Sequence, residues 1–343
     1  MTSIRAHLLD GLEDPRAGPD HWEKLLAAGD TDTVFLTWQW QRAWWDSFGR
    51  GDLLLIAAER RGKVIAIAPF FAEAGMVFFV GSGGSDYLDF VGDINDVEVL
   101  GSLLEAARNR VERFVGFRFY HVSATSRTGE RLQQAAGRLG LTCYDEGELP
   151  APALALTAQS GAVEKATQKK SLLRHERFFR SNGSFDVRHL REGEAILPHL
   201  GEFFEQHIRR WADTPYPSLF HDRAQRNFYT VLTRIAARCG WLRFTCLEWN
   251  GRPVAFHFGF CYRGSYMWYK PSFEIELARR SPGEVLLRQL LIAAVNEGAH
   301  TFDFGLGDEP FKRRFATHVN SVTTWGLYPP EVLASTGKPE GAV

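Results

Sequence analysis

A carboxylate that closes a strand and opens onto glycines is placed to meet a ligand, and this sequence has one at Asp303. It ends the strand-like run Thr301–Phe304 and precedes Gly305-Leu306-Gly307, Asp308, Glu309 and Lys312. Glycines let a backbone approach a bound molecule closely, so Asp303 and Lys312 are candidate working groups. The plainer reading is that Asp303 caps the turn and Lys312-Arg313-Arg314 is a solvated basic run. A second arrangement, Arg279-Arg280-Ser281-Pro282-Gly283-Glu284, stands at the start of a helical stretch. Ser281 suits the N-cap and Pro282 the first helical position, leaving the N–H groups of Gly283, Glu284 and Val285 to face a docked anion beside two arginines. That combination suits a pyrophosphate; the alternative is a capped helix with two solvated arginines.

Two histidines stand out. His257 lies in the alternating strand Ala255-Phe256-His257-Phe258-Gly259, as a base titrating near neutrality or as a half-buried strand residue. In the string from Phe203 to Trp211, helical spacing aligns Phe203, Phe204, His207 and Trp211 on one face, the usual setting of a satisfied core histidine. Between Glu164 and Asn182, Lys165, Lys169, Lys170, Arg174, Arg177 and Arg180 face Glu164 and Glu176 alone, and Leu172, Leu173 and Phe179 supply an apolar stripe. Such a basic amphipathic helix packs on its domain with charges in water, or receives an anionic acceptor or an anionic bilayer. Gly81-Ser82-Gly83-Gly84-Ser85-Asp86 resembles a phosphate cradle but lacks the Lys and Ser/Thr of a P-loop.

The elements that must position these groups repeat. Glu59-Arg60-Arg61-Gly62-Lys63-Val64-Ile65-Ala66 reads like Glu248-Trp249-Asn250-Gly251-Arg252-Pro253-Val254-Ala255, at an offset of 189 positions. Each joins two strand-like runs, Leu53–Ala58 to Val64–Ala72 and Leu242–Leu247 to Val254–Tyr262. Second turns at Gly75 and Gly264 keep the offset and lead into Val77–Val80 and Tyr266–Tyr269. Helical stretches precede each hairpin (Trp38–Ser47, Arg223–Cys239) and follow it (Val97–Phe114, Glu284–Glu297), and short strands close each half (Phe117–His121, Thr301–Phe304). The pattern predicts an α+β chain of two tandem domains, 1–150 and 151–330, with a flexible tail at 331–343.

Composition narrows the classes. Apolar residues at 45% and charged residues at 24% are globular values, which exclude disorder. A net charge of −1 gives no general pull toward nucleic acid, so none is expected as a partner. No apolar run reaches bilayer length and no export signal is visible. Cys143, Cys239, Cys246 and Cys261 form no metal-type spacing, so no metal is expected, and scattered thiols suit a reducing cytoplasm.

The shared order of helix, antiparallel strands, helix and strand resembles the core of the GNAT acyltransferases, and the tandem arrangement looks like the FemAB-like branch. Lys169-Lys170-Ser171-Leu172-Leu173-Arg174, the string from Phe203 to Trp211, Ser281-Pro282-Gly283 and the segment from Asp303 to Phe315 resemble the CelD-like, cellulose-biosynthesis-type acetyltransferase family. The first half resembles it through Phe35–Trp45 and Asp86-Tyr87-Leu88-Asp89. The resemblance implies two GNAT-like domains, each a mixed, mostly antiparallel sheet flanked by helices, with the first degenerate. It implies an N-acyltransferase using acetyl-CoA or a longer acyl-CoA, held by Arg279, Arg280, Ser281, Gly283 and Lys312, although Lys312 could equally meet an acceptor carboxylate. Catalysis would fall to Asp303, His207 and His257. The acceptor, an amine of an amino sugar, amino-lipid or sphingoid-like molecule, would meet Arg210, Trp211, Tyr269, Asp86, Tyr87, Lys170 and Arg174. The pantetheine arm would lie between splayed fourth and fifth strands, Val254–Tyr262 and Ser265–Lys270 in that order. The alternatives are a FemAB-like transferase drawing on aminoacyl-tRNA and a non-catalytic scaffold in envelope or polysaccharide synthesis; the expected setting is cytoplasmic, either free or peripheral to the membrane's inner face.

Overall fold

Four two-residue turns, Arg61-Gly62, Ala74-Gly75, Asn250-Gly251 and Arg263-Gly264, take positive φ at both positions. That geometry matches the twist of the strands it joins, so each pair closes a tight hairpin and the duplicated spacing becomes a duplicated meander. The computed structural model describes residues 4–156 and 161–336, which group into two compact units, 1–150 with 320–343 and 151–319.

In the first unit the elements are β1 (Ile4–Leu8), α1 (Pro19–Ala28), α2 (Trp38–Phe48), β2 (Asp52–Arg60), β3 (Lys63–Glu73), β4 (Met76–Phe79), β5 (Val91–Gly92), α3 (Val97–Arg108), β6 (Gly116–Ser123), α4 (Thr128–Arg138) and the start of β7 (Thr142–Ala155). The second unit holds the end of β7, then α5 (Ala162–Thr167), α6 (Lys170–Ser181), β8 (Phe185–Leu190), α7 (Gly193–Ile196), α8 (Leu200–Trp211), α9 (Arg223–Arg238), β9 (Leu242–Trp249), β10 (Arg252–Tyr262), β11 (Ser265–Phe273), α10 (Pro282–Asn296), β12 (Thr301–Asp303) and α11 (Pro310–Phe315). From Asn320 the strand β13 (His318–Tyr328) belongs to the first unit, followed by α12 (Pro330–Thr336). The tail expected at 331–343 thus begins inside a helix, and 337–343 lie outside the described residues, as do 157–160.

Strands in the first unit run β1-β2-β3-β4-β6-β13, antiparallel except for the parallel pair β4/β6. The second unit repeats the scheme as β12-β11-β10-β9-β8, with β11/β12 parallel. In each unit a helix makes the parallel crossover, α3 or α10. Apolar residues at helical spacing drive both helices into their cores: Val99, Leu100, Leu103, Leu104 and Ala107 on α3, and Val285, Leu286, Leu287, Leu290, Leu291 and Ala294 on α10. Each fully buried leucine contributes roughly 1.5–3 kcal/mol.

Candidate active site

β11 and β12 stay paired through Ser265↔Thr301, Tyr266↔Phe302 and Met267↔Asp303; β12 then stops while β11 runs on to Phe273. This is the divergence that can admit an added chain. The expected gap between Val254–Tyr262 and Ser265–Lys270 does not exist. Those strands pair antiparallel from Ala255↔Phe273 to Tyr262↔Ser265, because the two-residue turn at Arg263-Gly264 locks their register, whereas a strand returning through a helix is free to diverge. Along β11 the ladder jumps from Phe260↔Met267 to Phe258↔Lys270, setting Trp268 and Tyr269 against Gly259. A side chain at Gly259 would collide with the His257 ring and the Met267 carbonyl, so only glycine fits inside this bulge.

His257 serves that bulge. The spare N–H of Tyr269 donates to its Nε2 at 3.3 Å, and Nδ1 has no partner among the described residues. The ring is wholly buried and stacks on Trp268 at 5.5 Å. Burial pushes its pKa down to about 3. His207 is also buried, its Nδ1 2.8 Å from the Ser218 hydroxyl, and burial, with the charges of Lys270 and Arg210 adding, pushes it down to about 3. A general base works best with a pKa near the working pH, so neither histidine is set for the base role anticipated above; both hold the fold in neutral form.

The C-terminal end of α8 does gather polar groups. The Arg210 guanidinium is half-buried, lies over the Phe273 ring at 4.5 Å and the Trp211 ring at 5.3 Å, and has no carboxylate partner among the described residues. Trp211 Nε1 is buried with no acceptor among them. The Trp211 ring stacks on His207 at 5.9 Å, and the Lys270 ammonium sits over the Tyr269 ring at 4.1 Å. Arg210, Trp211 and Tyr269 therefore share one region with His207. A buried indole N–H and a half-buried guanidinium leave two donors for a carbonyl or anionic group.

At the start of α10, Pro282 occupies the first turn as expected. Ser281 differs: it takes φ 52°, its side chain makes no capping bond, and its carbonyl accepts from Glu284 N at 3.0 Å and Val285 N at 3.2 Å. Of the three expected donors, Gly283 is left. A methyl there would stand 3.0 Å from the Phe273 ring, so the glycine lets this loop pack on β11. Arg279 and Arg280 are exposed, Arg280 lying over Phe178 at 4.1 Å. The residue that the sequence reading missed is Glu284, whose carboxylate pairs with Arg314 and stands 3.6 Å from His175. An acid in the first turn stabilises the helix but competes with a bound anion. Arg279, Arg280, Arg314 and Lys169, whose ammonium donates to the Arg314 carbonyl at 2.8 Å, leave the region net positive, so these residues fit a pyrophosphate.

Asp303 lies where β12 leaves β11, and one of its oxygens accepts from Gly305 N at 2.8 Å. Lys312 is buried and spent within the same loop: its ammonium donates to the Leu306 carbonyl at 2.6 Å and pairs with Glu309 at 2.8 Å. It ties the glycine turn rather than projecting toward a phosphate. Lys170 and Arg174 are exposed on α6, whose other face is pinned to α10 through Glu176, bonded to Arg288 at 2.5 Å and Gln289 at 2.9 Å. Asp86 and Tyr87 belong to the first unit, Tyr87 beside Phe35 at 6.1 Å. The cradle-like glycines are turned inward: Ser82, Gly84 and Ser85 donate to Phe79 and Gly81 carbonyls, which leaves those N–H groups unavailable to a phosphate. Ser218 had no sequence signal, since only the fold brings it under His207.

Among the described residues no group of three or more His, Cys, Asp or Glu side chains could hold a metal, and no helix is long and apolar enough to cross a membrane. No curated protein matches the sequence. The fold is similar to that of FemX, with a TM-score of 0.66 at 12% identity over 93% of this chain and 98% of that one. It is also similar to the C-terminal domain of a candidate lysylphosphatidylglycerol synthetase from Agrobacterium fabrum, with a TM-score of 0.54 at 17% identity over 88% and 94% of the two chains. A conserved protein of unknown function from Bacteroides thetaiotaomicron aligns with a TM-score of 0.59 at 13% identity over 96% and 100%. Residues 166–313 match the model of the GNAT acetyltransferase domain family. The second unit thus carries an acetyltransferase domain of the GNAT family over residues 166–313, and the fold of the chain is similar to that of FemX.

Proposed function

We propose that this enzyme transfers an acetyl or longer acyl group from acyl-CoA to the amine of an amino sugar, amino-lipid or sphingoid-like acceptor. The observation that carries the reading is the run of β11 beyond Met267, which continues to Phe273 beside an α10 start flanked by Arg279 and Arg280. An extended pantetheine arm would add to that edge as a strand does, with its diphosphate at the helix terminus. The amine nitrogen would then attack the thioester carbonyl and form a C–N bond. Collapse of the tetrahedral adduct breaks the C–S bond, and the thiolate leaves with CoA. Asp303, at the mouth of the divergence, would take the ammonium proton, while Arg210 and Trp211 Nε1 orient polar groups of the acceptor. The exposed Lys170 and Arg174 would let α6 rest against an anionic surface that presents a lipid acceptor.

Calorimetry with acetyl-CoA and a long-chain acyl-CoA tests the donor, and thiol release in the presence of an amine panel tests the transfer. The Arg279→Ala/Arg280→Ala variant should bind acyl-CoA about five- to thirtyfold more weakly, as expected for two exposed charge contacts. Unchanged affinity in that variant moves the donor site elsewhere. Absence of acyl-CoA binding together with transfer from aminoacyl-tRNA would replace the donor with the FemAB-like one.

A further inference from the structure

On β6 of the first unit, Val122 pairs with Thr323 and Phe119 with Trp325, so Tyr120 and His121 together oppose Thr324. His121 takes φ 58°, a left-handed conformation that costs a residue with a side chain. Bulges re-aim side chains, and this one turns two successive residues into a single cavity of about 620 Å³, lined also by Phe71, Phe78, Glu73 and Glu148. The apolar wall is a run of rings: Phe71 and Phe78 stack at 5.3 Å and 29°, Phe78 and Tyr120 at 6.2 Å and 8°.

The charges at this cavity are one-sided. Its one arginine, Arg118, lies 6.0 Å over Tyr120 and donates through Nε to Glu146 at 2.5 Å, and Glu146 also accepts from the Tyr328 hydroxyl at 2.5 Å. Glu146 and Arg118 therefore cancel within the wall. Glu73 and Glu148 are exposed at the rim with no cationic partner among the described residues. His121 Nδ1 lies 2.8 Å from the Ser85 carbonyl, so it donates, and in the tautomer that carries its proton there Nε2 is an acceptor. The unspent polar groups at His121, Glu73 and Glu148 are all acceptors, set around aromatic faces. Ring faces attract cations, and carboxylates add Coulomb attraction.

We propose that this cavity is a binding site for a small organic cation: an alkylammonium whose apolar body lies on the Phe71–Phe78–Tyr120 wall and whose N–H groups meet Glu73, Glu148 and His121. The site is independent of the acyl-donor reading, since every lining residue belongs to the first unit.

Calorimetry on the full chain with hexylammonium chloride, hexanol and hexanoate tests it. Hexylammonium should bind, hexanol more weakly and hexanoate not at all. Glu73→Gln/Glu148→Gln should weaken hexylammonium about tenfold, as two partly exposed charge contacts would. Tyr120→Leu, which keeps bulk but loses the ring face, should weaken it about threefold. Arg279→Ala/Arg280→Ala should leave it unchanged, which separates this site from the donor site. The proposal is overturned by hexanoate binding as well as hexylammonium, by no hexylammonium binding at millimolar concentration, or by unaltered affinity in the double glutamine variant.

Discussion

Replacing His207 with asparagine while varying pH separates a structural imidazole from a catalytic one. The ring is buried against Phe220 at 5.0 Å and bonded to Ser218 at 2.8 Å, and burial pushes it from 6.5 down to about 3. Below pH 6.5 the unfolded chain takes up a proton that folded His207 refuses until about pH 3, so its contribution is full above pH 6.5 and is lost as pH falls. Integrated from pH 6.5 to 5, one such group removes about 1.5 kcal/mol. His257, shifted in the same direction for the same reason, removes about as much. Asp89 works in the opposite sense, because burial raises its carboxyl, and it is common to both proteins in the comparison. The His207→Asn side chain would keep a hydrogen bond to Ser218 but lose ring packing, which should cost about 1–3 kcal/mol at pH 7. Urea unfolding at constant ionic strength, followed by tryptophan fluorescence, should show the wild-type drop between pH 6.5 and 5 shrinking by about 1.5 kcal/mol in His207→Asn. Parallel pH profiles for the two proteins would refute the burial argument. So would a pH–rate profile of acyl transfer whose inflection near neutrality disappears in the variant, since His207 would then be the base.

Glu284→Gln removes the acid from the first turn of α10 and frees Arg314, so calorimetry should show acyl-CoA binding about two- to fivefold tighter while stability falls by about 0.5–1 kcal/mol; weaker binding would place the diphosphate elsewhere. Lys312→Met should cost about 1–3 kcal/mol in chemical denaturation, because the Leu306 carbonyl loses its donor, yet leave the salt dependence of acyl-CoA affinity unchanged; a flattened salt dependence would return Lys312 to the donor site. Gly259→Ala should destabilise by more than about 3 kcal/mol or fail to fold, since its methyl meets His257 and the Met267 carbonyl; a near-neutral melting shift would mean that the bulge relaxes freely.

Local rules carried much of this protein. Turn pairs such as Arg61-Gly62 and Asn250-Gly251 announce their hairpins because few residue pairs tolerate two positive φ values in succession, and the helical spacing of Leu286, Leu287, Leu290 and Leu291 announces α10 because an amphipathic face must be buried. The 189-residue repeat therefore exposed the tandem α+β plan in the sequence alone, and the order of its elements carried the resemblance to the GNAT core. Other features depend on partners remote in sequence, which no local pattern encodes. Pairing decided that β11 diverges from β12 rather than from β10, because a tight turn clamps one neighbour and a helical crossover leaves the other free. Packing decided that His257 accepts the bulge N–H of Tyr269, twelve residues away. It also decided that Glu284 meets Arg314, thirty residues on, and that Tyr120 and His121 turn into one cavity opposite Thr324. A residue's type sets the chemistry it can perform; whether its polar atoms remain available is decided by the groups the fold brings to them.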